Sequence, residues 1–295
     1  MLRLREDCML WPGGREKCLT LSFDDGTVED ERICGMLRER GLRATFNLNP
    51  GLFGKDDHLV QPGIDVHHRK IPAQSIAEVY KGFELAVHGY THASMTANGS
   101  AMAAYEIVRA KAELEELVGA PVRGMAWPIR FDGSGRTEAC ELAKACGISY
   151  GRTTRRTYSC RGVPADFMTW DAACSFVQPQ LADVVAAFLE PPRKGDLGNP
   201  YLLYVWGHGY EATARGAWGV LEGFLDSVAF DEDVWYATNI EVCDYVTAYR
   251  SLVYSSTGRY LFNPSYLDVW LLVDGERLVV PSGKTAIVPA WRGWR

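Results

Sequence analysis

Five side chains in this sequence could together carry out metal chemistry. Asp24 and Asp25 are adjacent, His88 and His92 are four residues apart, and His208 lies much later in the chain. Two imidazole nitrogens and one carboxylate supply three protein ligands and leave a fourth position for water, as in catalytic rather than structural metal sites. Two neighbouring carboxylates repel each other unless a bound cation separates their roles, so that one ligates while the other acts as a base.

The elements that must position these residues alternate along the chain. Short apolar segments that are typical of buried strands alternate with segments of helical periodicity, which predicts β-α units and a parallel sheet. Six or more units fit a barrel better than an open sheet. Strands are expected at residues 19–23, 43–48, 83–87, 122–127, 148–152 and 201–206, and helices at 28–40, 101–118, 137–146 and 181–190.

The five residues follow these strands closely. Asp24 and Asp25 come directly after the first strand, His88 comes directly after the third with His92 four residues later, and His208 lies two residues beyond the last. In barrels and open α/β sheets the active site lies at the carboxyl ends of the strands. We therefore expect all five residues at one rim.

Each part of this set also has a structural interpretation. The His-x-x-x-His spacing recurs by chance, and Gly89 stands where the zinc-protease motif has glutamate. Either histidine alone could be a capping or core residue, and one aspartate could cap the helix that starts near Val28. Their joint occurrence at strand ends favours the metal site.

The end of the chain differs from the rest. Residues 267–273 and 276–281 flank Asp274 and Gly275, which predicts a hairpin with an Asp-Gly turn. We expect residues 1–254 to form the barrel and 255–295 a small β appendage that packs on it. A role of the appendage in covering the site or in a dimer contact is the alternative.

Composition excludes several classes of protein. The 295 residues are 47% hydrophobic and 23% charged, which argues against a disordered or fibrous protein, and the net charge of -6 argues against a nucleic-acid partner. No segment reaches the roughly 20 apolar residues of a membrane span, and the N-terminus does not resemble a signal peptide. Eight scattered cysteines without a Cys-x-x-Cys pair indicate reduced thiols and a cytoplasmic location.

Two motifs resemble those of a known family. Residues 21–26, with Ser22-Phe23-Asp24-Asp25-Gly26, resemble the Thr/Ser-Phe-Asp-Asp-Gly signature of the NodB-homology polysaccharide deacetylases. Residues 88–92, His-Gly-Tyr-Thr-His, resemble the second signature of the same family. Their order and their spacing of some 60 residues also match, and the similarity covers residues 15–250.

This resemblance implies a fold, a cofactor and a set of roles. The fold would be α/β, a distorted (β/α) barrel of about seven strands, with the β-hairpin appendage outside it. Asp25, His88 and His92 would bind a divalent metal, zinc first and cobalt, nickel or another transition metal as alternatives. Asp24 would be the general base, and His208 would protonate the departing amine or alkoxide.

The remaining family signatures are altered in this chain. The segment around Trp127 keeps the family's proline at Pro128 but shifts the arginine, so that Arg130 or Arg123 would orient Asp24. The fourth signature is blurred, and its candidates are Asp166, Trp170 and Asp171. Aromatic faces suit sugar rings, although Trp206 could equally be a core residue and Glu211 could hydrogen-bond His208 or merely begin a helix. The candidate substrate contacts are Trp127, Pro128, Arg130, Trp170, Trp206, Tyr210 and Glu211.

Three other histidines lie in the polar segment 55–70. We expect His58, His67 and His68 to belong to a long solvated loop rather than to a second metal site. A loop of this length could cover the barrel mouth.

Three functions remain open at this point. The first is a metal-dependent hydrolase that removes acetyl groups from an N- or O-acetylated sugar or oligosaccharide. The second is a cyclic-amide hydrolase of purine-type catabolism on the same barrel, and the third is a carbohydrate-binding protein that has lost catalysis. The expected partner is thus an acetylated carbohydrate or a small amide, without nucleic acid or membrane, and a homo-oligomer is left open.

Overall fold

A computed structural model describes residues 9–129, 131, 136–191, 200–273 and 275–288. Its strands are β1 Met9–Leu10, β2 Lys17–Asp24, β3 Thr45–Leu48, β4 Asp56–Gln61, β5 Ile64–Arg69, β6 Glu84–Val87, β7 Gly124–Ala126, β8 Tyr150–Arg156, β9 Trp170–Ala172, β10 Cys174–Ser175, β11 Tyr201–His208, β12 Val234–Ala237, β13 Val253–Tyr254, β14 Tyr260–Phe262, β15 Val269–Val273, β16 Glu276–Val280 and β17 Thr285–Ile287. Its helices are α1 Asp30–Glu39, α2 Ile76–Val79, α3 Gly99–Val118, α4 Arg136–Ala145, α5 Leu181–Leu189, α6 Gly209–Ala214, α7 Trp218–Val228 and α8 Asn239–Arg250.

The main sheet is a nearly closed parallel barrel. Its strands follow the order β10-β11-β2-β3-β6-β7-β8-β9, and every pairing between them is parallel. Only Ala173 separates β9 from β10, so one short segment pairs with β8 on one side and with β11 on the other. This segment closes the ring, and the predicted (β/α) barrel is confirmed.

Side chains alternate between the two faces of the barrel wall. On β2, Leu19, Leu21 and Phe23 belong to the core between the sheet and the helices, whereas Cys18 belongs to a second core that fills the barrel. Because side chains alternate with a period of two, Asp24 lies on the same inward face as Cys18. The strand therefore delivers the Asp24 carboxylate to the inside of the barrel at its carboxyl end.

Helix α8 and the C-terminal strands pack on the second core near the amino ends of the barrel strands. Thr238 and Glu241 form a capping box that starts α8, and Tyr245 and Tyr249 join the cluster that contains Cys18. The Asp-Gly hairpin prediction matches β15–β16, although Asp274 lies outside the described residues. Strand β1 pairs with β15, and β13 pairs with β14, so pairing crosses the expected domain boundary at residue 254, which stays a prediction.

The segment expected as a long loop is instead a β-hairpin. Strands β4 and β5 pair antiparallel over six residues each, and Gly63 turns the chain between them in left-handed geometry, with φ +76°. Ile64 and Val66 are buried and pack against Tyr210, while the intervening residues are polar. The loop prediction was wrong because the many charged and histidine side chains obscured this alternation.

Two findings concern membranes and thiols. Among the described residues, no helix combines the length and the apolar character that crossing a membrane requires. The seven described cysteines are all free thiols, and Cys8 lies outside the described residues. The predicted cytoplasmic location stays a prediction.

Candidate active site

Asp25 is turned into the site by the backbone that follows β2. Asp25 has φ +80° and Gly26 has φ +62°, so two successive residues adopt left-handed geometry. Aspartate tolerates this conformation better than most residues. A Cβ atom on Gly26 would lie 2.8 Å from Cδ2 of Leu48, so this turn requires glycine.

His88 is buried directly after β6 and is held in one orientation. Its Nδ1 donates to the carbonyl oxygen of Ala126 at 2.9 Å, which leaves Nε2 with its lone pair free. Burial lowers the pKa of His88 to about 4, against the opposing effect of Asp24. The imidazole is therefore neutral at physiological pH, as a metal ligand must be.

The loop from Gly89 to His92 is shaped by a buried glutamate on α3. Glu106 accepts a hydrogen bond from the backbone nitrogen of Thr91 at 2.7 Å and another from the Thr91 hydroxyl at 2.6 Å. A Cβ atom on Gly89 would lie 3.0 Å from the same carboxylate. His92 has φ +63°, and this tight turn brings its ring to 4.7 Å from that of His88.

Asp25, His88 and His92 form a cluster with the composition of a metal site. Each offers one ligand atom, and these atoms lie within 4.8 Å of one another. Nε2 of His92 lies 4.0 Å from Oδ1 of Asp25. Burial also lowers the pKa of His92, so both imidazoles favour the neutral form. The cluster can hold a divalent cation with a position left for water.

Asp24 is held ionised inside the barrel. A guanidinium nitrogen of Arg152 contacts Oδ2, and Nδ2 of Asn47 donates to Oδ1 at 2.8 Å. Burial raises the pKa of Asp24, but Arg152, followed by His88 and His208, outweighs burial, so that the pKa lies below its usual value. Asp24 is thus a charged, oriented carboxylate with 1% of its surface exposed.

His208 faces the two aspartates from the end of β11. Its Nε2 lies 3.9 Å from Oδ2 of Asp24 and 3.9 Å from Oδ2 of Asp25, while its Nδ1 contacts Oε2 of Glu211 at 2.9 Å. Burial lowers the pKa of His208, but the Glu211 hydrogen bond, with the two aspartates, raises it above its usual value. The arrangement favours a protonated imidazolium beside the aspartates.

The β4–β5 hairpin adds two residues that the sequence interpretation did not place here. Nζ of Lys70 donates to the carbonyl oxygen of Asp25 at 2.7 Å and lies 3.2 Å from Oδ1 of the same residue. Nε2 of His68 lies 3.7 Å from Oδ2 of Asp25. Burial raises the pKa of Asp25, but the neighbouring Lys70 ammonium holds it well below its usual value.

The candidate substrate contacts are distributed unevenly around this site. Tyr210 and Trp206 flank His208, with ring centroids 4.9 Å and 5.4 Å away, and Glu211 contacts His208 directly. Trp127 stacks on Phe131 and donates to a backbone carbonyl, Trp170 packs among three aromatic rings inside the barrel, and Pro128 is buried. Arg130 lies outside the described residues. Substrate contact by any of them stays a prediction.

Arg152 takes the place that the sequence interpretation gave to Arg123 or Arg130. Arg123 makes two hydrogen bonds to Asp244 on α8, at 2.9 Å and 2.7 Å, and does not orient Asp24. Of the acidic candidates for the fourth signature, Asp166 caps a short turn and Asp171 pairs with Arg155. Arg152 lies on the inward face of β8. A basic residue within a buried strand is unusual, and this signal in the sequence could have identified Arg152 as a candidate.

Known proteins were compared with this chain by sequence and by structure. The family model described as polysaccharide deacetylase matches residues 12–151. A search of curated proteins gives no match. A protein from Mycobacterium smegmatis that is classed with the polysaccharide deacetylases superposes with a TM-score of 0.52 at 18% identity, over 84% of this chain and 96% of that chain.

Two further solved structures are similar to parts of the chain. A Streptococcus pyogenes deacetylase in complex with acetate has a TM-score of 0.39 at 16% identity over 46% of this chain, and the chain spans 55% of its length. A family 4 carbohydrate esterase (CE4) pseudoenzyme from Bacillus anthracis has a TM-score of 0.46 at 15% identity, over 77% of this chain and 66% of that chain. The matched segment 12–151 contains Asp24 and all three residues of the metal cluster, Asp25, His88 and His92. The resemblance of this chain to the polysaccharide deacetylase family, which its two motifs predict, is therefore confirmed.

Proposed function

We propose that this protein is a metal-dependent hydrolase that removes acetyl groups from an acetylated sugar or oligosaccharide. The observation that carries the proposal is the convergence of Asp24, Asp25, His88, His92 and His208 at one rim of the barrel, with the three candidate ligand atoms within 4.8 Å of one another. The family match supports a hydrolase of acetylated carbohydrate.

The donor set fits a divalent transition metal such as zinc. Two neutral imidazoles and one carboxylate are ligands that zinc accepts, and His88 is oriented by a hydrogen bond from its other nitrogen, as metal-binding histidines usually are. When bound, such a metal would lower the pKa of a water molecule and polarise the acetyl carbonyl. Asp25, His88 and His92 would hold it.

Asp24 is the proposed general base. Its carboxylate lies beside the cluster, because Oδ2 of Asp24 is 3.9 Å from Nε2 of His88. The low pKa of Asp24 keeps it free of a proton at neutral pH. Arg152 and Asn47 each occupy one carboxylate oxygen and so fix its orientation. A base held in this way can take a proton from the attacking water without first reorienting.

His208 is the proposed general acid. It faces Oδ2 of Asp25, whereas His92 faces Oδ1. Glu211 keeps its Nδ1 protonated and favours the imidazolium form, so Nε2 can donate a proton to the departing amine or alkoxide. A base and an acid on separate sides of one carbonyl are what amide or ester hydrolysis requires.

The proposal is tested by acetate release from a panel of acetylated sugars. Chelated protein should release no acetate, and addition of zinc, cobalt or nickel should restore release from N- or O-acetylated members. Hydrolysis of a cyclic amide without acetate release would instead support the cyclic-amide hydrolase. Tight sugar binding without turnover at any metal would support the binding protein.

A further inference from the structure

We propose that His68 on the β4–β5 hairpin contacts the sugar of the substrate beside the scissile acetyl group and thereby determines specificity; this inference rests on the proposed deacetylase function. The polysaccharide deacetylase motifs do not include this residue, and the hairpin is an element that the sequence interpretation missed.

The hairpin is fixed against the site at its last residues. Lys70 directly follows β5, forms a backbone bridge with Thr27, and donates from Nζ to the carbonyl oxygen of Asp25 at 2.7 Å. Lys70 is 3% exposed, so this contact is buried. The register of β5 relative to Asp25 is therefore set, and His68 two residues earlier is held beside the site.

The inward face of β5 leads into the site. Ile64, Val66 and His68 alternate along the strand and share one face, and the first two are buried against Tyr210. The ring of His68 meets that of Tyr210 edge to face at 4.8 Å, and Tyr210 in turn lies 4.9 Å from the ring of His208. Tyr210 thus lies between the proposed acid and His68.

The ring nitrogen that His68 presents to the site has no hydrogen-bond partner among the described residues. Its Nε2 is buried, and the nearest acidic oxygen, Oδ2 of Asp25, lies 3.7 Å away, beyond hydrogen-bond distance. A buried polar atom without a partner has lost its hydrogen bonds to water, so native structures rarely leave one unpaired. A ligand that enters the site would supply the missing partner.

The position of this nitrogen indicates which part of the substrate it would meet. Oδ2 of Asp25 faces both His68 and His208, at 3.7 Å and 3.9 Å, whereas Oδ1 faces His92. His208 serves the leaving group in the proposed reaction, so the leaving sugar is the part on this side. A sugar hydroxyl can donate or accept, and it can therefore pair with Nε2 in either tautomer of the imidazole.

The test compares an acetyl substrate that has a sugar with one that does not. Zinc-loaded wild type, His68→Ala and His67→Ala are assayed on tetra-N-acetylchitotetraose, an acetylated xylo-oligosaccharide and p-nitrophenyl acetate. His67 is the matched control, because it is adjacent on β5 and its side chain is 84% exposed on the opposite face. The ratio of kcat/KM on the better sugar to kcat/KM on p-nitrophenyl acetate should fall about tenfold or more in His68→Ala, chiefly through KM, because a hydrogen bond to a substrate hydroxyl is lost. His67→Ala should keep the wild-type ratio, and zinc content should be the same in all three proteins.

Binding of the same sugars, measured calorimetrically in an Asp24→Asn background, provides a readout that does not need turnover. His68→Ala should weaken binding about tenfold or more, whereas His67→Ala should not. Equal ratios and equal affinities in wild type and His68→Ala would overturn the inference, and so would loss of zinc from His68→Ala, which would make His68 a metal ligand. Sugar binding that depends on His68, without acetate release by any wild-type preparation, would refute the proposed deacetylase and leave His68 as a sugar contact.

Discussion

Replacement of Arg152 by methionine should leave the buried charge of Asp24 without its counter-ion. Arg152 is 0% exposed and Asp24 is 1% exposed, and the guanidinium contacts Oδ2 directly. Methionine has a similar length and no charge, so it keeps part of the packing over the ring of Trp206, which the guanidinium contacts at 4.1 Å. Of the two residues that contact the Asp24 carboxylate, Arg152 and Asn47, only Asn47 would then remain.

The expected loss of stability follows from this burial. Removal of one partner from a buried ion pair costs about 3–5 kcal/mol, because the other charge is left uncompensated. Arg155 on the same strand is the matched control, since its pair with Asp171 has an arginine side chain that is 47% exposed. Arg155→Met should cost at most about 1 kcal/mol.

The effect should also depend on pH with a definite sign. In wild type the lowered pKa of Asp24 stabilises the fold above the ordinary carboxyl pKa, and this contribution is lost as pH falls through the folded-state pKa. Without Arg152, burial dominates and the pKa of Asp24 rises. Protonation of Asp24 then removes the uncompensated buried charge and reduces the destabilisation of the variant. The difference between wild type and Arg152→Met should therefore be larger near neutral pH than at about pH 4.

Urea titration of the metal-free proteins, followed by tryptophan fluorescence, measures these differences. Asp24→Asn combined with Arg152→Met should lose less than the sum of the two single variants, because neither charge is then left alone. A cost for Arg152→Met as small as that for Arg155→Met, with no dependence on pH, would refute the buried ion pair.

Three further predictions test other parts of the site and the fold. His92→Ala should lose both bound zinc and activity, as measured by metal analysis and acetate release, and a fully active variant would contradict the ligand assignment. Glu211→Gln should lower the pKa of His208 and move the alkaline limb of the kcat–pH profile to lower pH; an unmoved limb would mean that Glu211 does not support the acid. Burial raises the pKa of Asp30 well above its usual value, against a hydrogen bond from Tyr80, so the folded state keeps a proton that the unfolded chain loses and stability falls as pH rises above the ordinary carboxyl pKa. Asp30→Asn should remove that loss, so the stability of the variant relative to wild type should be about 1 kcal/mol or more greater near neutral pH than at acidic pH. This magnitude follows because a tenfold change in proton affinity is worth about 1.4 kcal/mol. Urea titrations in which the two proteins show parallel pH dependence would contradict the prediction.

Sequence reasoning was effective where the signal is local. The apolar segments that became β2, β6 and β11 are continuous and short, and the residues that follow them are fixed by the direction of a parallel strand. The Glu211 contact with His208 could also be anticipated, because the two residues are three positions apart at the start of α6. The barrel, the rim and the five residues proposed to carry the chemistry could therefore all be predicted from the sequence.

Contacts between residues that are far apart in the sequence could not be predicted in the same way. Arg152 lies 128 positions from Asp24, and β8 carries three arginines that composition cannot distinguish. Lys70 lies 45 positions from Asp25 and reaches it only because the β4–β5 hairpin folds back on the turn after β2. That hairpin in turn was hidden by the histidines and aspartates that alternate with Ile64 and Val66.

The most direct test of the central claim compares zinc-loaded wild type with zinc-loaded Asp24→Asn. Both proteins should hold about one zinc ion per chain, because Asp24 is not among the three proposed ligands. Only wild type should release acetate from an acetylated sugar, because asparagine cannot accept the proton of the attacking water. Equal acetate release by both proteins would contradict the role of Asp24 as base, and loss of zinc from Asp24→Asn would show that the roles of the two aspartates are exchanged.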